Sequence, residues 1–429
     1  MIDVVMNLHL GALVTPTEDG GFQWHERGGF VVGTDGIIVA VGEGRQLQAM
    51  HPDAQVTDHG TGILLPGFVD AHVHFPQFLM AGSHGESLLN WLERYTFPAE
   101  MECADRGFAE HLAVRFLDEL ARQGTTAAFI FGVSYQGAME ALLEALTGRR
   151  MAAVTGNVWM DRHGPDALLQ SAEKSLEISE HLMGRITGDL SLGILPRFVP
   201  SCSDPLLERC AEFLHRHPQS RLQSHLGETR AEVDWVRQLH PKALDYTHVY
   251  ESFDLLGARS SFAHGIHLEA REWQALARSR TQLVHCPSAN LFLGSGLFDL
   301  RRALGEGVPV GMGTDVGAGT SLCMLESLKA CYQVQQLQGD SVSVETLLRM
   351  ATLGSAGVLG MADRIGSLEP GKRADFIRLQ PPEGSWLAQR WARCDHLEEQ
   401  VFAAIILGGA ADIAGTWILG EPVSGPQVL

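Results

Sequence analysis

The stretch "LLPGFVDAHVHFPQ", residues 64–77, closes an apolar run with His72 and His74 one residue apart. Side chains alternate faces along a strand, so both imidazoles project to the same side. Two neutral imidazoles converging at a strand end suit a divalent transition metal, zinc above all. His225 in "RLQSHLGE", His264 in "SSFAHGIHL" and Asp315 in "VPVGMGTDVG" also sit near the ends of short apolar runs. A metal site that does chemistry needs an open position for water and a nearby group to move protons. Glu228, three residues after His225, is the candidate for that role. Its position equally suits the first turn of the helix "TRAEVDWVRQL", where the helix dipole favours a carboxylate.

The elements that must position these residues repeat one pattern from residue 63 onward: a short apolar run, a polar or glycine break, then a helical stretch. Eight runs are expected as strands, at 63–74, 125–132, 151–161, 189–200, 221–228, 260–268, 281–290 and 308–317. Between them lie amphipathic stretches such as "FAEHLAVRFLDELARQG" and "DPLLERCAEFLHRH", with apolar residues at helical spacing. Strands alternating with helices imply parallel pairing, and eight units predict a closed (β/α)8 TIM-type barrel. Active sites on such barrels lie at the C-terminal strand ends. By that rule His72 and His74 from strand 1, His225 from strand 5, His264 from strand 6 and Asp315 from strand 8 converge on one mouth. His267 and His285 are read as ordinary structural histidines. The four lysines, Lys174, Lys242, Lys329 and Lys372, all lie off strand 4. That strand therefore lacks the modified lysine that often bridges two metals on such barrels, and the site is expected to hold one ion.

The ends of the chain differ. Residues 1 to about 62 are rich in glycine and β-formers with no clear helix, and the C-terminal segment carries the β runs "ADFIRL", "VFAAIILGG" and "IAGTWILGEPV". Pairing the two ends would cover edges that neither could protect alone. The expected organisation is a small β-sandwich built from residues 1–65 and 366–429 around an α/β barrel over 66–365.

Composition limits the function classes. The chain has 429 residues, 45% of them hydrophobic, and a formal net charge of −19. With no basic stripe, a nucleic-acid partner is not expected. No apolar run is long enough to span a bilayer, and the start does not read as a secretory signal, which points to the cytoplasm. Seven cysteines with no Cys-x-x-Cys pair argue against a disulfide framework. "HGE" at 84–86 matches half of the His-x-Glu deaminase motif, but no Cys-x-x-Cys completes it.

With those residues in hand, the chain resembles the amidohydrolase superfamily and, within it, the guanine deaminases. "PGFVDAHVHFPQ", "LLNWLERYTFPAE", "PRFVPSCS", "SHLGETRAEVDWV", "AHGIHL", "HCPSANLFLGSG", "GMGTDVGAGTSLCML" and "IGSLEPGKRADFIRL" are similar to that family's blocks, in order. The resemblance implies one zinc ion per chain, held by His72, His74, His225 and Asp315. It implies that Glu228 shuttles protons, that Asp315 orients or deprotonates the water, and that His264 hydrogen-bonds near the attacked carbon. It also implies that Gln77, Arg197 and the backbone at Phe198 hold guanine, which water would convert to xanthine and ammonia, and that the enzyme is a homodimer. Two residues depart from the family's pattern: Gly227 stands where serine or alanine is expected, and His163 where asparagine is expected. The competing readings are a related zinc aminohydrolase or chlorohydrolase acting on another purine, a pterin or a triazine, and a non-catalytic barrel scaffold.

Overall fold

In the computed structural model the described residues are 6–85 and 87–423, so the first five residues, Glu86 of the "HGE" stretch and the last six lie outside the description. Eight parallel strands form the barrel: β1 Phe68–His74, β2 Thr125–Phe131, β3 Ala152–Gly156, β4 Leu190–Pro196, β5 Arg221–Leu226, β6 Ser260–His264, β7 Gln282–His285 and β8 Val310–Met312. They are nearly wholly buried and rich in apolar residues, as strands covered on both faces must be. The ring is drawn together between β1 and the segment after β8, where His74 N donates to Val316 O at 2.7 Å and Asp315 N donates to His72 O at 2.8 Å. Those two hydrogen bonds place His72, His74 and Asp315 side by side before any ligand is considered.

The helices on the outside follow the expected amphipathic pattern. In Arg106–Arg122 the Asp105 side chain caps the first turn by accepting from Phe108 N. Ala109, Leu112, Ala113, Phe116, Leu117 and Leu120 then recur at helical spacing and are buried against the barrel. Ser203 caps Asp204–Arg216 in the same way, with proline in its first turn.

The strand expected over 63–74 is two strands. Gln55–Pro66 belongs to the terminal sheet and Phe68–His74 to the barrel, with Gly67 between them. A Cβ on Gly67 would fall 2.1 Å from Thr126 Oγ1, so only glycine lets the chain cross there. The terminal segments pair in one hydrogen-bonded seven-stranded sheet. Its order runs Glu421–Pro422, Ile413–Ile418, Phe376–Leu379, Gln55–Pro66, Asn7–Pro16, Phe22–Val32, Ile38–Glu43. The two ends meet where Ile63 to Pro66 run antiparallel to Leu379 to Phe376. A core of Leu13, Phe30, Val32, Ile38, Leu64, Leu368, Ala374 and Phe376 lies against this sheet.

Two segments read as β or irregular are helices. "VFAAIIL" of this run lies in the helix Leu397–Leu407, whose first turn carries Glu398 and Glu399 and which ends at Gly408. An apolar run of this length has no decisive period, and packing against the helix Met324–Leu337, including the Tyr332–Phe402 ring contact, settles it. Gly44–Met50 is a short helix without a side-chain cap, buried through Leu47 against Leu8 and Val31. Among the described residues no helix is long and apolar enough to cross a membrane.

Candidate active site

The barrel mouth gathers every residue singled out from the sequence as metal-compatible. His72 Nε2 lies 3.1 Å from His74 Nε2 and 3.3 Å from Asp315 Oδ1, and His74 Nε2 lies 3.2 Å from the same carboxylate oxygen. Ligand atoms of His72, His74 and His225 fall within 4.8 Å of one another, and so do those of His72, His264 and Asp315. Distant residues fix the ring tautomers. Gln223 Nε2 donates to Ala71 O at 2.8 Å and Ser261 Oγ at 3.1 Å, so its Oε1 faces His72 and accepts from Nδ1 at 2.7 Å. His225 Nδ1 likewise donates to Arg197 O at 2.6 Å. Both Nε2 atoms are left with lone pairs directed into the cluster. Lone pairs and a carboxylate facing one another repel unless a cation stands among them, and neutral imidazoles oriented through their other nitrogen are what a metal requires. The three-histidine, one-carboxylate donor set therefore fits a divalent transition metal.

The electrostatics favour neutral rings at His74 and His225, while Asp315 draws His72 the other way. Withdrawal from water, reinforced by the neighbouring imidazoles, pushes His225 well below its ordinary value, and burial holds His74 at about 4. Burial works against a charge on His72, but hydrogen bonding and attraction to Asp315 outweigh it and raise the ring above its usual range. Burial alone would raise Asp315; its contacts with His72 and His74 instead hold the carboxyl well below the carboxylate range. Asp70, a residue given no role from the sequence, underlies this arrangement by accepting from His72 N at 3.1 Å and Thr314 N at 3.0 Å. Two site residues carry left-handed backbone, His264 at the end of β6 at φ 73° and Asp315, three residues past β8, at φ 52°. Each such residue stores on the order of 1–3 kcal/mol, held in place by the surrounding barrel.

Glu228 stands beside the cluster and is buried. Its Oε1 accepts from Ser295 Oγ at 2.9 Å, and its Oε2 lies 3.5 Å from His264 Nε2. Burial and then the nearby Asp315 raise its carboxyl to about 8. It precedes the helix Arg230–Leu239, whose cap Thr229 forms a capping box with Glu232. Glu232 Oε2 also accepts from Glu228 N at 2.8 Å, fixing the backbone from which Glu228 projects. Gly227, the departure noted in the sequence, sits at φ 56°, where serine or alanine would be strained. His264 is anchored through Nδ1 at 2.9 Å from Asn290 Oδ1, leaving Nε2 toward the cavity.

One cavity opens over these groups, lined on its polar side by His74, Gln77, Arg197, Glu228 and Asp315. Phe198, Trp91, Leu88 and Leu293 form its apolar wall. Every predicted site residue except His72 lines it, and His72 lies beneath. Gln77 comes from the turn Phe75–Met80 after β1, and Arg197 immediately follows β4. Gln77 Nε2 donates to Glu100 Oε1 at 2.9 Å, and Arg197 Nη1 donates to both Glu100 oxygens at 2.9 and 2.8 Å. His163 does not line the cavity; its Nδ1 lies 2.5 Å from Pro200 O and its ring is tilted against Trp235, which in turn contacts Phe198. Sequence reasoning missed Glu100, Gln223, Asn290, Ser295 and Glu232. Glu100, Glu232, Asn290 and Ser295 all lie inside the blocks similar to the family, and the signal available was a polar side chain amid apolar sequence.

Comparison with known proteins matches the amidohydrolase family over residues 63–423. The chain is 38% identical to guanine deaminase of Escherichia coli strain K12 over 398 residues, covering 92% of this chain and 91% of that one. It is 39% identical to the probable guanine deaminase of Deinococcus radiodurans over 405 residues, covering 92% of each. Among solved structures, guanine deaminase from C. acetobutylicum with guanine bound in the active site superposes with a TM-score of 0.91 at 27% identity, covering 98% of this chain and all of that one, 100%.

Proposed function

The chain belongs to the amidohydrolase family, and we propose the following course for the reaction it catalyses, the hydrolytic deamination of guanine. His72, His74, His225 and Asp315 would hold one zinc ion, which would supply Lewis acidity and so a nucleophilic water at neutral pH. Asp315, ionised, accepts hydrogen bonding from the attacking water and orients it. Glu228, carrying a proton at neutral pH because burial raises it to about 8, delivers that proton to ring nitrogen 3 as water adds at carbon 2. His264, anchored by Asn290, supports the oxygen that becomes the new carbonyl. As the water adds, one of its protons passes by way of Asp315 to the leaving amino group, the remaining hydroxyl proton returns to Glu228, and ammonia departs to leave xanthine, so one water is consumed for each ammonia released.

Gln77, Arg197 and the backbone at Phe198 hold the ring in the orientation that brings carbon 2 over the metal ligands. His74, His225, Glu228, His264 and Asp315 touch its reacting edge. The supporting observation is that an arginine and a glutamine line one cavity with a buried carboxyl, Glu228, which burial raises to about 8. The resemblance to guanine deaminases extends the reading to zinc as the metal, a homodimer, the cytoplasm and a place in purine breakdown. We read residues 66–365 as the catalytic barrel, with 1–65 and 366–429 forming the small β domain; the strand break at Gly67 supports the first boundary.

Steady-state ammonia release from guanine, adenine and cytosine tests this reading. Guanine should be turned over, with adenine and cytosine rejected by about 10⁴ or more, because a site built to hydrogen-bond one edge leaves its groups unpaired with another. Comparable rates on adenine would refute the guanine reading.

A further inference from the structure

Resting on that reading, we propose that Glu100 is the positioning residue that makes this pocket recognise a lactam edge, a ring carbonyl beside a ring N–H. Glu100 sits in the helix Phe97–Glu102, is 2% exposed, and does not line the cavity itself. Its carboxylate can only accept hydrogen bonds, and it accepts from both residues assigned to the ring. Because Gln77 Nε2 is committed to Glu100 Oε1, the Gln77 amide has one possible orientation, with Oε1 turned away from Glu100. That oxygen lies over Gly317, where a Cβ would fall 2.8 Å away, so the glycine keeps space beside it open. Arg197 spends Nη1 on Glu100 and stacks over Phe97 at 5.2 Å, which fixes the plane of its remaining N–H donors.

The pocket therefore presents a fixed acceptor from Gln77 next to fixed donors from Arg197. Their complement is a carbonyl adjacent to an N–H, which guanine and hypoxanthine carry on the six-membered ring. Unsubstituted purine and adenine carry a bare lone pair at the same nitrogen. The pairing with Glu100 also neutralises the guanidinium, so Arg197 acts here through directed donors and not as a free positive charge. Glu100 is thus the source of the discrimination, although it touches no substrate.

Glu100→Gln tests this with a change of sign. A glutamine at 100 sets its NH2 against Arg197 Nη1 in either orientation, because Nη1 reaches both Glu100 oxygens, and so displaces the arginine's donors. With the NH2 at the Oε1 position, Gln77 also flips and offers Nε2 to the cavity. Calorimetric titration of metal-loaded protein with hypoxanthine and with unsubstituted purine reads the result without requiring turnover. In the variant, hypoxanthine should bind about ten- to a hundredfold more weakly, the cost of facing a donor with a donor, while purine binds as well or better. Proportional weakening of both ligands, or no change in either, overturns the proposal. If Glu100→Gln binds no metal or fails to fold, Gln77→Glu decides the matter. An acceptor-only side chain there repels Glu100, and equal affinity of that variant and wild type for hypoxanthine overturns the proposal. Absence of guanine turnover in the wild type would instead sink the functional reading and leave this contrast measurable.

Discussion

His9 and His59 in the terminal sheet meet ring nitrogen to ring nitrogen at 3.0 Å, and His72 and His74 at the barrel mouth meet at 3.1 Å. All four are buried, so by distance and exposure the two pairs are alike. Their surroundings are not. Phe30, Phe376 and Trp417 enclose the terminal pair with ring contacts between 4.9 and 6.0 Å, and among the described residues no carboxylate forms an ion pair with either ring. Burial keeps both of those imidazoles neutral, at about 4. At the barrel mouth Asp315 lies against both rings, two further histidines join, and a cavity opens above. Imidazole proximity packs a core as readily as it holds a metal. The carboxylate, the tautomers fixed by Gln223 and Arg197 O, and access to solvent separate the two uses.

The largest expected effect of a single side chain is at Glu228. Glu228→Gln keeps size and burial but cannot exchange a proton, so turnover should fall by ~10²–10⁴-fold with metal content unchanged. Turnover within a few-fold of wild type, with metal analysis alongside, would put Glu228 outside the mechanism and weaken the contrast between the clusters.

A smaller effect belongs to the terminal pair and appears as stability. Both folded-state values lie below the ordinary 6.5, so the unfolded chain takes up protons first as pH falls. The pair's contribution is intact above pH 6.5 and is lost as pH drops from there toward about 4. Urea unfolding at pH 7.5 and 5 should show a loss on the order of 2 kcal/mol per histidine, smaller in a His9→Phe, His59→Leu double variant. An equal acid loss in that variant would assign the sensitivity to other groups.

Much of the fold was legible because parallel barrel strands are buried on both faces and read as continuous apolar runs. Their C-terminal ends then pointed to His72, His74, His225, His264 and Asp315 without any contact being known. What stayed hidden follows from sequence separation and from missing periodicity. Glu100 and Arg197 are 97 residues apart, and Gln223 and His72 are 151 apart, so nothing local marks them as partners. "VFAAIILGG" has apolar residues at both strand and helix spacing, and only its packing against Met324–Leu337 makes it helical. The strand over 63–74 hid its division because Gly67 interrupts no apolar pattern; its need shows only against Thr126.

The most direct test of the difference between the two clusters is a zinc titration of chelator-stripped protein, followed by guanine turnover. Wild type and the double variant lacking the terminal pair should both be inactive when stripped, regain activity in proportion to added zinc, and level off at one ion per chain. Full turnover by stripped protein, a requirement for two ions, or loss of the single site on removing His9 and His59 would contradict the account.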